Sequence, residues 1–505
     1  MSPRAKKVDP SSKTTLDPQT PSGRPARSAR WEAVNPHAAG IDVGATSHYV
    51  AVPPESVAEN EKSVRVFEAF TPDLHSLVEW LKTCGVTTVA MESTGVYWIA
   101  LHQLLEAAGI EVLLVNAKAV KHAPRRKTDV SDCQWLQQLH SYGLLSGSFR
   151  PCDAICQLRT LMRHRANLVG SASREVQHIQ KGLQQMNLHL HHVVSDVMGA
   201  TGQRILKAIL DGQRDVKQLL SLRDENITKS TIQEMDAALQ GDYREEHLFV
   251  VRQALETYEF LHRQMDRCDI EVQRVLQIIA ATAPAPTALR ETGPECIAQG
   301  NPTPETTVQK AKQPKKKARQ SRKHNDPKID FTPQLTRIFG VDMSQVLGLR
   351  VLSVLVLLSE VGFDLAKFPN AKAFCAWLGL CPNNKVSGGR VLSSRTSKVV
   401  NRVSLMLRLA AVAIGRTDTC LGWFYRRRCA QLGPPGAATA TARKLAAILY
   451  GLITRREQYV EPNLVEYQRR YHRHRTVKLL KQLETLGYQV AIKATSDTET
   501  ITTSC

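Results

Sequence analysis

"AAGIDVGATSHYVAV" (residues 38–52) decides how the chain begins to fold. An apolar run, a glycine-bearing turn and a second run of alternating character read as a strand, a turn and a second strand. Working outward, "SVRVFEAF" (63–70) reads as a third strand. "TPDLHSLVEWLKTCG" (71–85) is a helix with Thr71 as N-cap, Pro72 at the first helical position and Gly85 as the stop. "VTTVAMES" (86–93) is a buried strand, "GVYWIALHQLLEAAG" (95–109) a helix and "IEVLLVNA" (110–117) another buried strand. Three strands in series followed by alternating helix and strand predict a mixed α/β sheet.

"RRKTDVSDCQWLQQL" (125–139) supplies the next helix, with Val130, Cys133, Leu136 and Leu139 at helical spacing. Asp129 and Asp132 stand three apart, where like charges on one helical face repel. Something positive has to offset that, and a divalent metal would. Asp42 lies near the end of the first strand and Glu92 at the end of a buried one. In a mixed sheet whose central strands adjoin, the four acids converge at one edge. Two divalent ions ~4 Å apart would neutralise them and clamp a phosphodiester. Oxygen-only ligation suits magnesium or manganese. Arg125, Arg126 and Lys127, directly before the acids, would hold the phosphate backbone. A lone aspartate at a strand end is usually a turn or cap residue; the ordered set on a basic chain is what points to metal.

The chain has 505 residues, 42% of them hydrophobic, and a formal net charge of +20. That length predicts several domains. The charge suits a polyanionic partner, nucleic acid in preference to a membrane surface. The most apolar stretch, "VLSVLVLLSEVG" (351–362), is too short to span a bilayer and carries Glu360. "MSPRAKKVDPSSKTT" lacks the apolar core of a signal peptide, so a soluble intracellular, cytoplasmic protein is expected, nucleoid-associated only when bound to DNA. The 11 cysteines are scattered and read as reduced thiols.

Residues 1–36 read as a disordered basic tail and 37–155 as the α/β domain. Residues 156–280 are helical, with Val251, Leu255, Tyr258, Leu261, Met265, Cys268, Val272, Val275 and Ile279 forming a heptad seam. That seam serves an intramolecular bundle or a homo-oligomer equally well. Residues 281–330 are a basic, Pro-rich linker that meets phosphates by charge alone. Residues 331–460 form a mainly helical second domain, and 461–505 a basic, then polar, tail expected to fray. Within 331–460, "CPNNKVSGGRVLSSRTSKVVNR" (381–402) reads as a polar, basic loop. It offers Ser387, Ser393, Ser394 and Ser397 among Arg390, Arg395 and Lys398. The glycines after Ser387 permit close backbone approach to a ligand. A serine hydroxyl can attack phosphorus and conserve bond energy for rejoining, although a Ser-Gly-Gly turn is more often only a turn.

"GIDVGATSHYV", "MESTGVYW", "VNAKAVKHAPRRKTDVSDCQWL" and "FCAWLGLCPNNKVSGGR" resemble the DEDD transposases of the insertion-sequence family IS one-ten, especially its eleven-eleven branch. The likeness covers about residues 37–150 and 335–455. It implies a RuvC-like, ribonuclease-H-type first domain whose DEDD acids are Asp42, Glu92, Asp129 and Asp132. It implies a second domain whose nucleophilic serine matches Ser387, with Ser393 and Ser394 as alternatives, joining the acids in a composite site. It further implies cleavage and rejoining of DNA with magnesium or manganese, guided by a structured bridge RNA, by a multimer. Residues 335–349 depart from the family's frequent Pro-Gly-Ile-Gly hairpin. The competing reading is a metal-dependent nuclease of the Holliday-junction resolvase type using water. "GIDVGATS" also resembles the phosphate hairpin of actin-like sugar kinases, but Asp129 and Asp132 have no role there. A catalytically dead nucleic-acid-binding relic is disfavoured by a complete acid set.

Overall fold

The computed structural model describes residues 32–93, 95–116, 128–225, 230–283, 324–397 and 401–488. The chain divides after Arg150 into two compact units.

The first unit is built on one five-stranded sheet: β1 (Ala38–Val43), β2 (Ser47–Ala51), β3 (Val64–Glu68), β4 (Thr88–Glu92) and β5 (Glu111–Val115). Its order is β3-β2-β1-β4-β5. β1, β2 and β3 pair antiparallel, while β1, β4 and β5 run parallel. This is the mixed sheet expected from the sequence, and with its flanking helices it has the RuvC-like arrangement. Helices α1 (Thr71–Thr83) and α2 (Trp98–Ala107) follow β3 and β4. They bury Leu77, Leu81, Leu101 and Leu105 against Ile41, Val50, Val89 and Met91. Each such side chain removed from water contributes ~1.5–3 kcal/mol. The cap of α1 is Phe70 rather than Thr71, so Pro72 stands at the second helical position; Gly85 ends the turn at φ 67°. Helix α3 (Asp129–Ser141) covers the opposite face of the sheet.

The second unit is dominated by two long helices, α4 (Asp153–Gln185) and α9 (Glu245–Thr282). Gly182 meets Val251 and Arg165 pairs with Asp269, so the two run antiparallel. The heptad seam is buried within this hairpin, Leu261 only partly. The intramolecular alternative therefore accounts for it. Between them lies a lobe of short helices, α5 (Leu190–Val193), α6 (Ala200–Leu210), α7 (Val216–Ser221) and α8 (Ile232–Leu239), sharing the hairpin's core.

Helices α10 (Thr332–Phe339), α11 (Val351–Val361), α12 (Ala371–Trp377), α13 (Arg402–Ile414), α14 (Cys420–Arg455) and α15 (Leu464–Thr485) complete the unit. Gly433, at φ 73°, kinks α14 immediately before Pro434 and Pro435. Two expectations are corrected here. Residues 381–402 are not simply a loop: β6 (Lys385–Ser387) and β7 (Arg390–Ser393) form an antiparallel hairpin. Much of the tail 461–505 is also ordered, as α15, because Asn463 caps the helix and Tyr467 and Tyr471 pack edge-on against Trp423. Glu360, conspicuous in an apolar stretch, accepts from Arg163 Nε and Nη2 at 3.1 and 2.8 Å, with Arg159 at 3.5 Å. It thereby ties α11 to α4. The described cysteines are free thiols, and no described helix is long and apolar enough to cross a membrane.

Candidate active site

The acids are placed by strand register and by one close helix–sheet contact. β1 and β4 are paired in parallel through Ile41 and Met91. Asp42 and Glu92 each follow by one residue, at the same level on neighbouring strands, and residues at one level of parallel strands share a face. That face is the one opposite Ile41 and Met91. Glu92 pairs in register with Val115 on β5, and Ser93 bonds the Val115 carbonyl through both N (3.0 Å) and Oγ (3.1 Å). The strand end is thus fixed on both sides.

α3 lies on the same face. A Cβ added to Gly40 would stand 2.3 Å from the Cys133 carbonyl oxygen and 2.3 Å from the Gln137 nitrogen. Only glycine lets the helix approach so closely. Gln137 Nε2 donates to the Ala38 carbonyl at 3.3 Å, and His140 Nε2 meets Thr88 Oγ1 at 2.9 Å. The C-terminal half of α3 therefore rests over the starts of β1 and β4. Its first turn, bearing Asp129 and Asp132, points to the strand ends that bear Asp42 and Glu92. Electrostatics agree: burial pushes the Cys133 thiol up to about 12, and the negative charges of Asp42 and Asp132 push in the same direction. Asp42, Glu92 and Asp132 are half-buried and Asp129 is exposed, so each carboxylate remains accessible to a ligand.

The helix itself supplies part of the positive potential that two neighbouring aspartates require. Thr128 caps α3: its Oγ1 accepts from Ser131 N at 3.2 Å, while Ser131 Oγ accepts from Thr128 N at 3.1 Å. Asp129 and Asp132 then sit in the first turn, where the aligned peptide dipoles favour anions. The acids offer oxygen donors, although among the described residues no three of their carboxylates come within 4.8 Å of one another. The one nearby sulfur, Cys133, keeps its proton at neutral pH and cannot compete as a thiolate. Such a donor set fits a hard divalent cation. Arg125, Arg126, Lys127 and Lys398 lie outside the described residues.

Ser387 closes β6. Gly388 and Gly389 follow at φ 54° and 75°, the two positive values that a two-residue hairpin turn requires, and Arg390 opens β7. Ser387, Arg390, Ser394, Arg395 and Ser397 are exposed. Ser393 is half-buried, and its Oγ accepts from Arg395 N at 3.3 Å. The hairpin signal was present in the sequence as Gly-Gly between two short runs, masked by the polar residues around it.

A basic and aromatic cluster escaped the sequence reading. The Arg427 guanidinium lies 3.8 Å from the Tyr471 ring centroid and 4.8 Å from that of Trp423; Lys444 Nζ donates to Tyr467 Oη at 2.8 Å. The cluster seats α15, which has no buried residue and exposes Arg469, Arg470, Arg473, Arg475, Lys478 and Lys481. The spacing of Tyr467 and Tyr471, one helical turn apart, was the signal for it.

Residues 39–188 match the DEDD transposase family of IS110 elements, and residues 343–426 match the transposase IS116/IS110/IS902 family. The first match contains the four acids and the second contains the serine hairpin. No curated protein matches the chain. The chain carries both transposase domains in order, and its enzyme class is that of a DNA transposase.

Proposed function

We propose that this transposase moves an insertion sequence by cutting and rejoining DNA, with Asp42, Glu92, Asp129 and Asp132 holding magnesium or manganese and Ser387 as nucleophile. The observation that supports the reading is the Gly40 contact, which holds Cys133 and Gln137 of α3 against β1 and so leaves the first turn of the helix directed toward the strand ends. When bound, the cations supply charge stabilisation to the attacking and leaving oxygens of a phosphodiester. The chain's part is to orient them. Strand pairing fixes Asp42 and Glu92, and the Thr128–Ser131 cap fixes the turn bearing Asp129 and Asp132.

Ser387 Oγ forms a bond to phosphorus as a strand P–O bond breaks, so the phosphoester is conserved for rejoining. Arg390 and Arg395, on the same hairpin, contact neighbouring phosphates. The target is chosen through a structured bridge RNA. The resemblance supports guidance, and the net charge of +20 and the cations of α15 suit either nucleic acid. The competing reading is a metal-dependent nuclease that uses water in place of Ser387.

The decisive experiment incubates the chain with magnesium, the RNA flanking its element and a labelled DNA junction, followed by denaturing separation. A protein–DNA adduct is expected, lost in Ser387→Ala and in Asp129→Asn. Cleavage without an adduct, unchanged in Ser387→Ala, would establish the nuclease. An adduct formed equally well without RNA would remove the guide from the scheme.

A further inference from the structure

We propose that His189, His191 and His192 form a site for a divalent transition-metal ion of the zinc class, separate from the four acids. Their metal-ligating nitrogens all lie within 4.8 Å of one another. The rings are stacked or edge-on, with centroids 4.2 Å apart for His191 and His192 and 5.2 Å for His189 and His192. Three imidazoles so close repel one another when protonated, whereas neutral rings converging on a cation do not.

The second observation is the state of His189. Its Nε2 lies 2.9 Å from Asn187 Oδ1. An amide oxygen only accepts, so Nε2 carries the ring proton and Nδ1 carries the lone pair. That Nδ1 is buried and has no hydrogen-bond partner among the described residues. A buried acceptor left unmet is costly, and a metal bond would satisfy it. An outer hydrogen bond fixing the tautomer of a ligating histidine is the usual support of such a site. Asn187 holds its place through a left-handed backbone, φ 55°, directly after the end of α4.

The backbone carrying the rings is anchored. Leu188, Leu190, Val193 and Val194 are buried in the hairpin core, and His189 N donates to the Ala238 carbonyl at 2.9 Å. In a tetrahedral zinc site, bonds of ~2.1 Å place donors ~3.4 Å apart. Side-chain rotations that draw the rings in by about an ångström therefore complete three of the four positions. His192 is exposed, which gives the ion a path in and leaves the fourth position to water. Nitrogen-only donors select zinc, nickel, cobalt or copper over magnesium, so the two sites differ in the metals they take. A bound ion would pin the corner where α4 passes into the lobe of α5–α8.

The test uses untagged full-length protein, stripped with chelator and titrated with Zn²⁺ by calorimetry and with Co²⁺ by visible absorption. An Asp129→Asn/Asp132→Asn background separates this site from the acids. One ion per chain is expected, with visible bands typical of tetrahedral cobalt. His192→Ala, at an exposed position, should weaken binding at least tenfold without unfolding the chain, and Asn187→Ala about tenfold by freeing the His189 ring. Equal affinity and stoichiometry in His189→Ala/His192→Ala would overturn the proposal. So would Zn²⁺ that fails to shield these three rings from diethyl pyrocarbonate in the unsubstituted chain.

Discussion

Asp42 with Glu92 and the serine hairpin are both carried at strand ends, yet they are held in opposite ways. β1 and β4 lie at the centre of a sheet with paired neighbours on each side, covered by a helix in backbone contact at Gly40. β6 and β7 are a two-stranded hairpin whose Val386, Val391 and Leu392 are 58, 59 and 70% exposed. An isolated hairpin is marginal in water. The strand ends that carry Asp42 and Glu92 are therefore preorganised by long-range packing, whereas the serine depends on a local turn and on whatever covers the hairpin's apolar residues.

The comparison can be broken most forcefully at Gly40. Gly40→Ala would drive a methyl group into the backbone of α3 and destabilise the first unit by ~1–3 kcal/mol. Hydrogen exchange in β1 and β4 should rise, and both adduct formation and simple cleavage should fall. Unchanged exchange would mean that α3 is not seated there. A smaller, purely local effect is expected for Gly389→Ala. Among the described residues nothing lies within 4 Å of the added Cβ, so the penalty is the positive φ alone, about 1 kcal/mol. Adduct yield should fall while the thermal unfolding midpoint holds, and Gly389→Asn should restore part of the yield because asparagine tolerates that backbone. Full yield in the alanine variant would show that the turn does not position Ser387.

The smallest effect sharpens the packed side of the comparison. Burial lowers the pKa of His140, which meets Thr88 beneath α3. Its neutral form is favoured in the fold, so its stabilising contribution is present above about pH 6.5 and is lost as pH falls toward the depressed folded value. His140→Gln should flatten the dependence of the urea midpoint on pH across that window. An unchanged slope would assign the dependence to other groups.

The sheet was legible because its strands are short apolar runs bounded by turn residues, and α1 because Pro72 and Gly85 bracket it. The heptad seam was legible as helix, but its partner was not: periodicity shows that a face is buried without showing against what. α15 was missed because it has no apolar stripe at all. Its anchorage comes from Trp423 and Arg427, some forty residues earlier, through ring and cation–π contacts; the spacing of Tyr467 and Tyr471 hints at a packed face without naming that partner. The same holds for the approach of Asp129 and Asp132 to the strand ends. Their pairing was visible in the sequence, but the clearance that Gly40 gives α3 is a tertiary fact. The role of the serine rests on likeness to a family, since a Ser-Gly-Gly turn carries no chemistry of its own.

Glu360 has a consequence for how this chain can be taken apart. Its carboxylate lies beyond the linker in sequence, but the Arg159 and Arg163 groups that neutralise it lie before it. Arg165 likewise donates across the same gap to the Asn325 carbonyl at 3.0 Å. A fragment beginning after the linker would leave this acid with only Arg402, at 4.0 Å, beside an apolar helix face, and its complement would present the cations without their anchor. Cutting the linker should therefore leave two pieces that stay together. Expressed apart, each should be poorly soluble; expressed together, they should recover a single particle by fragment complementation.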